Sequence, residues 1–318
     1  MELGEPETRL PQLLWKKDNS GTEPMKKNSS FLSLKYEIEV TLPAIVVVAI
    51  VTQIPIIFTL FNSLIRWIVV RPDLPREFVG IKHYAELVTS SEFWIVFKNT
   101  SVLTAFSLAF CFILGIFLAL LIYRRFPGVG VVRTLLIAPF FISDAVIGVY
   151  WRNVMLGATY GLLPVFFRRL EMQFPDLLAQ FPLILIIVLI VWKWTPFFML
   201  ILTAGLQSIP EEVIEASIVD GANGWVRTVN VILPQLKTHM NISLMLGLIF
   251  VLKTFGLIFT TTHGGPGYAS TNFPYYIYRT ALLGWNVGRG AAIAVLVVII
   301  SLATIMILFR FLRRSIGE

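Results

Sequence analysis

The chain is 318 residues long and carries a net charge of +7; 56% of its residues are hydrophobic and 14% are charged. A soluble domain holds about 25% charged residues, so this composition, with a mean hydropathy of +0.78, excludes a water-soluble globular protein. The basic residues lie in tails and loops, where membrane topology accounts for them, and no nucleic-acid partner follows from the charge.

Residues 1–41 mix acids (Glu2, Glu5, Glu7, Asp18, Glu23) with bases and hold no apolar core before Pro43, so they read as a polar tail and not as a secretory signal. Apolar stretches then follow near 42–65, 99–123, 131–154, 181–204, 237–262 and 290–312. Each meets the roughly 20 residues needed to cross a ~30 Å bilayer core. Backbone groups in lipid must be satisfied within the segment, which makes these stretches helices. They are far longer than the ~10-residue alternating strands of a membrane barrel. The expected fold is an all-α integral membrane protein with six transmembrane helices over 42–318.

An even number of spans puts both ends of the chain on one side. That side holds the tail, the acid-free turn with Arg124, Arg125 and Arg133, and the C-terminal Arg310, Arg313 and Arg314. The opposite loops hold Arg66, Arg71, Arg76, Lys82, Lys98, Arg152, Arg168, Arg169, Arg279 and Arg289. The first loop alone argues for the reverse, but the short turn and the C-terminal cluster favour cytoplasmic termini. The loop 205–236 is then cytoplasmic as well.

That loop is a polar block between two apolar stretches, with four carboxylates: Glu211, Glu212, Glu215 and Asp220. Pro210 can open a helix at its first turn, where its missing N–H costs nothing. Glu211 and Glu212 then sit at the positive end of the helix dipole. Ala216 and Ser217 are small enough for a partner surface to approach the backbone. Asp220-Gly221 breaks the helix, because Gly accepts the left-handed conformation, and a second helix from Ala222 would stop at Pro234. The outcome is two short helices at an angle, a rigid knuckle suited to a cleft in another protein. On residue types alone, an amphipathic interfacial loop fits equally well.

The same block resembles the cytoplasmic coupling loop of binding-protein-dependent ABC import permeases, whose pattern is E-A-A-x-x-D-G-A followed by a late L-P. Glu215, Ala216, Asp220, Gly221, Ala222, Leu233 and Pro234 fit, Ser217 replaces the third small residue, and Thr228 stands where sugar-type members carry Phe. The likeness extends over about 70–318. Phe78-Val79-Gly80-Ile81-Lys82-His83-Tyr84, with Phe93, Asn99 and Thr100, resembles the first external loop of sugar-type permeases. Trp192-Lys193-Trp194-Thr195-Pro196-Phe197, Ala204 to Pro210, His263-Gly264-Gly265-Pro266 and Tyr276-Ile277-Tyr278-Arg279-Thr280-Ala281 follow in the family's order.

The resemblance implies a type I ABC importer permease in a bacterial or archaeal cytoplasmic membrane. It points to the carbohydrate branch, whose members move sugars, oligosaccharides, sugar alcohols or glycerol 3-phosphate. It further implies a second homologous permease, two ATPase subunits that bind ATP and Mg, and an extracytoplasmic solute-binding protein. Coupling to the ATPase would run through Glu211, Glu212, Glu215, Ala216, Ser217, Asp220, Gly221, Ala222 and Pro234. A secondary active transporter working without an ATPase is the alternative. It would need coupling-ion sites and commonly shows two repeats, and no convincing repeat is visible here.

For the solute pathway, Ile190, Trp194 and Phe197 stand at i, i+4 and i+7 and share a helix face, as do Gly247, Val251 and Thr254. In maltose-type members the matching faces line the solute cavity, and aromatic faces suit the C–H faces of sugar rings. Only Thr254 offers a hydrogen-bonding group, which puts a large oligosaccharide in doubt and makes a small sugar or polyol at least as fitting. The competing reading is that both stripes are helix-packing seams. Ionisable residues within spans are candidates for function: Lys193 lies in the fourth span, Lys253 in the fifth and Asp144 in the third. Each lysine could instead pair with a carboxylate or snorkel; for Lys193, with apolar neighbours on either side, a structural or pairing role is favoured over snorkelling. The chain carries no G-x-x-x-x-G-K-[ST] phosphate loop. Its histidines (His83, His239, His263) are too scattered for a zinc site, and its lone Cys111 permits no internal disulfide. No catalytic or metal site is expected.

Overall fold

The computed structural model describes residues 29–123 and 126–314, with side chains over 41–123 and 126–312. Residues 1–28 of the expected tail, and Arg124 and Arg125 of the basic turn, lie outside the described residues. The chain divides into two units, 1–56 and 57–318. The helix α1 (Ser29–Ser63) begins well before the expected first span, so the part of the tail from 29 onward is helical.

Within the second unit, a short hairpin pairs Ile65 with Phe78 and Arg66 with Glu77. The hairpin is followed by α2 (Lys82–Thr89) and α3 (Ser91–Tyr123). Next come α4 (Val129–Phe141) and α5 (Asp144–Val149), the latter continuing as a π-turn over Tyr150–Met155. Two short helices, α6 (Leu162–Arg169) and α7 (Leu177–Gln180), lead into α8 (Pro182–Gln207). The exposed block folds as α9 (Glu211–Val219), α10 (Gly224–Arg227), a π-turn over Thr228–Ile232 and α11 (Leu233–Gln235). The chain closes with α12 (Lys237–Leu252), α13 (Gly256–Thr261), α14 (Phe273–Tyr278) and α15 (Val287–Arg314).

Among the described residues, four helices are each long and apolar enough to cross a bilayer, and bent pairs bring the number to as many as six. The expected third span is one of these pairs: α4 and the segment Asp144–Met155 meet at 91°. Pro139 lies in the last turn of α4, and the chain leaves the helix at Ile142 (φ −78, ψ 135). Ser143 then caps α5, its side chain accepting a hydrogen bond from the Val146 N–H. The expected fifth span is likewise two pieces, α12 and α13, separated by Lys253–Phe255.

Glycines let the spans approach closely, as small residues do in membranes. A Cβ at Gly115 of α3 would lie 2.6 Å from the Phe198 Cβ of α8, and one at Gly205 would lie 2.6 Å from the His239 ring of α12. Around these contacts the core forms three clusters. At one end Leu87, Phe93, Phe273, Tyr276 and Ile293 join α2, α3, α14 and α15. In the middle Leu103, Ile147, Leu189, Val251 and Leu257 join α3, α5, α8, α12 and α13. At the other end Ile122, Leu202, Leu206, Ile232 and Leu236 tie α3 and α8 to the block that follows α8.

Candidate functional site

The segment between α8 and α12 is held at its two roots and free at its tip. Ile209 before it, and Ile232 and Leu236 after it, are buried against Ala119, Ile122, Met199 and Leu202, so the base of the segment belongs to the core of the spans. Pro210 is the N-cap of α9, not its first helical residue (ψ 137), and Glu211 and Glu212 occupy the first turn as the dipole favours.

The tip is a Schellman motif. The Ala222 N–H donates to the Ser217 carbonyl and the Gly221 N–H to the Ile218 carbonyl, both at 3.0 Å, with Gly221 left-handed at φ +79. The second helix begins later than Ala222: Asn223 caps it, its side chain accepting from the Val226 N–H at 2.9 Å. It also runs past Pro234 to Gln235 before turning 66° into α12. The π-turn over Thr228–Ile232 widens the helix under Pro234, the place where its ring would meet the carbonyl four residues back.

The acidic residues Glu211, Glu212, Glu215 and Asp220 are exposed, as are Ala216, Gly221 and Pro234, and Ala222 is half-buried. Ser217 corrects the expected outer face. It is buried, and its hydroxyl donates to the Ile214 carbonyl at 2.6 Å, so it secures the helix and leaves Ala216 as the small residue facing outward. Sequence reasoning missed two residues beside the turn. Val219 is 86% exposed and Trp225 77% exposed. Two large apolar side chains exposed on this segment form a surface that a partner would cover. Their signal was legible as the apolar pairs Ile218-Val219 and Trp225-Val226 on either side of the Asp220-Gly221 turn.

The expected pathway residues separate into two groups. Ile190, Gly247, Val251 and Thr254 are buried within the chain. Gly247 accommodates the Phe198 ring, and the Thr254 hydroxyl is turned to the Phe250 carbonyl at 3.4 Å. These four serve helix packing. Trp194 and Phe197 are half-buried and join Phe140 and Phe250 in an aromatic layer at mid-span. Trp194 stacks on Phe250 at 4.6 Å between centroids, and Phe197 stacks on Phe140 at 6.0 Å. The ammonium of Lys193 pairs with the Asp144 carboxylate. Lys253 caps the end of α12 and lies 4.6 Å from the Phe250 ring centroid. At the far end from the block, Asn99 Nδ2 donates to the Tyr268 carbonyl at 2.7 Å, and the Thr100 hydroxyl accepts from the Phe273 N–H at 3.1 Å. These bonds fix the loop before α14 to α3.

Bent and straight apolar helices around a common core, with a structured polar segment beside them, define a multi-pass membrane protein. Residues 111–317 match the family of binding-protein-dependent transport system inner membrane components, and the chain belongs to that family. It is 33% identical over 273 residues to the probable ABC transporter permease protein y4oQ of Sinorhizobium fredii, covering 83% of this chain and 85% of that one. It is 31% identical over 289 residues to the trehalose/maltose transport system permease protein MalF of Thermococcus litoralis, covering 90% and 95%. In fold it is similar to a chain in the crystal structure of a bacterial ABC transporter that imports alginate, with TM-score 0.74, 23% identity and coverage of 89% and 99%. The chain is therefore a permease subunit of a binding-protein-dependent importer, and the reading as a secondary transporter falls away.

Proposed function

We propose that this chain forms half of the translocation pathway of an ATP-driven carbohydrate importer and that the 211–234 segment docks the ATPase. The observation that carries this reading is the left-handed Gly221 turn with Val219 and Trp225 exposed beside it. An exposed apolar tip on a base rooted in the spans is built to transmit a push. In this reading both termini and the 205–236 loop are cytoplasmic, residues 42–318 are the permease domain, and ATP and Mg reside on two ATPase subunits. A second homologous permease supplies the other half of the cavity.

A receptor loaded with solute meets the outer face, closure of the ATPases on ATP opens the cavity outward, and hydrolysis resets it. Relatives named for trehalose, trehalose/maltose and glycerol 3-phosphate support a sugar or a related small carbohydrate. Trp194 and Phe197 are the candidates that meet the solute, since they alone of the expected pathway residues are incompletely buried. The test is gentle solubilisation followed by purification of the tagged chain. An ATPase and a second six-span permease should copurify in fixed proportion, and Gly221→Asp should remove the ATPase while the second permease stays. A chain that comes out alone and moves solute in vesicles without ATP would overturn the reading.

A further inference from the structure

Two span breaks, one ion pair and one unbroken span converge at a single point. Asp144 is the first residue of α5, directly after the 91° bend. Gly256 is the first residue of α13, directly after the break of α12. A Cβ on Gly256 would lie 3.0 Å from the Asp144 Cβ, so the two breaks touch through this pair of residues. The helices beyond the breaks then run together. Gly148 of α5 fits under Thr260 and Thr261 of α13, and Arg152 Nη1 donates to the Thr261 carbonyl at 3.0 Å. On the other side of the breaks lie Phe140 at the end of α4 and Phe250 near the end of α12, packed on Trp194.

Lys193 reaches this junction from α8, which is continuous from Pro182 to Gln207. Its side chain is 10% exposed and pairs with Asp144, which is 33% exposed. An ammonium buried within a span is costly unless its partner stays with it, so Asp144 must follow any displacement of Lys193. From Lys193 to the end of α8 is about 21 Å at the ~1.5 Å rise of a helix. There Ile209 begins the root of the exposed block.

We propose that Lys193 is a positioning residue of the transport cycle: through Asp144 it fixes both span breaks to the continuous span that leads into the 211–234 segment. Motion of that segment tilts α8, and the Lys193–Asp144 pair carries the tilt to α5 and α13 together. The bends at Ile142–Ser143 and Lys253–Phe255 absorb the difference. The inference rests on the importer reading for the source of the motion.

The test uses the whole importer, with its ATPases, in lipid nanodiscs. Spin labels at Val131→Cys of α4 and Val149→Cys of α5, both exposed sites, in a Cys111→Ala background report the bend. The distance is measured without nucleotide and after trapping with ATP and vanadate. The parent protein should show a nucleotide-dependent shift. Lys193→Met should lose that shift while ATP hydrolysis continues, Lys193→Arg should keep it, and the exchange Lys193→Asp with Asp144→Lys should restore it. A full shift in Lys193→Met would overturn the proposal. So would an exchanged pair that assembles and hydrolyses ATP without the shift, since a merely structural pair needs only to hold the fold. A parent protein whose distance ignores nucleotide while the ATPases turn over would overturn this inference and leave the importer reading standing; a permease that recruits no ATPase would instead overturn that reading.

Discussion

Replacing Gly221 in turn by Asn, Ala and Val separates the conformation of the turn from the contacts of its side chain. Gly221 has φ +79, and a Cβ placed there would meet nothing within 4 Å. A substitution therefore adds no clash within the chain, and the whole effect is the left-handed backbone, about 1–2 kcal/mol for an L residue. The free tip relaxes, so the strain falls on docking, where the Schellman geometry must be held. A difference of that size is a factor of about 5–30 in an equilibrium constant. Asn tolerates the left-handed region and β-branched residues do not, so the expected order of ATPase affinity is Gly, Asn, Ala, Val. The assay is titration of the purified permease pair with ATPase, read as ATPase bound, with thermal unfolding of the permease as a control that should stay unchanged. A Val variant that binds as well as the parent would refute the reasoning. Equal loss for Asn and Val would mean that the partner excludes any side chain there, whatever its backbone preference.

Three further outcomes follow from the packing. Trp194→Ala removes the stack on Phe250, worth about 0.5–1.5 kcal/mol beyond its burial; uptake should fall while the partner subunits still copurify, and unchanged uptake would remove Trp194 from the pathway. Gly205→Val drives a side chain into His239 and Leu236 at an expected cost of about 1–3 kcal/mol, seen as a lower melting temperature and poorer recovery of the complex. Asn99→Leu leaves the Tyr268 and Thr271 carbonyls without their donor at about 1–3 kcal/mol. It should weaken stimulation of ATP hydrolysis by the loaded receptor while the ATPase remains bound.

The straight spans were readable because hydropathy alone sets them: 181–204 became Pro182–Gln207, and 290–312 became a helix from Val287. The second span began earlier than its apolar run, at Ser91, because Glu92 and Lys98 are tolerated in the helix before the run at 99. The bends were not readable, since window hydropathy does not register a change of direction. Their traces were local: Ser143-Asp144 is a cap signal inside an apolar run, and Gly256 follows Lys253 closely. Pro234 misled for a physical reason, because a π-turn four residues earlier accommodates the ring. At the site, the turn at Asp220-Gly221 was legible from residue types. The inward face of Ser217 and the burial of Val251 were not, because each depends on which neighbour the helix leans against.

The right-angle bend has a consequence for biogenesis. The straight part before it, Val129–Phe141, has 13 residues and is about 20 Å long by helical rise, short of the ~30 Å hydrocarbon thickness. Neither half is long enough to be threaded into the membrane on its own, so the ribosome-bound chain must deliver both as one extended insert. The counter-charge of Asp144 at the elbow comes from Lys193 of α8, a segment made later in the chain. A chain ending before α8 would therefore hold the Asp144 carboxylate without its ammonium partner.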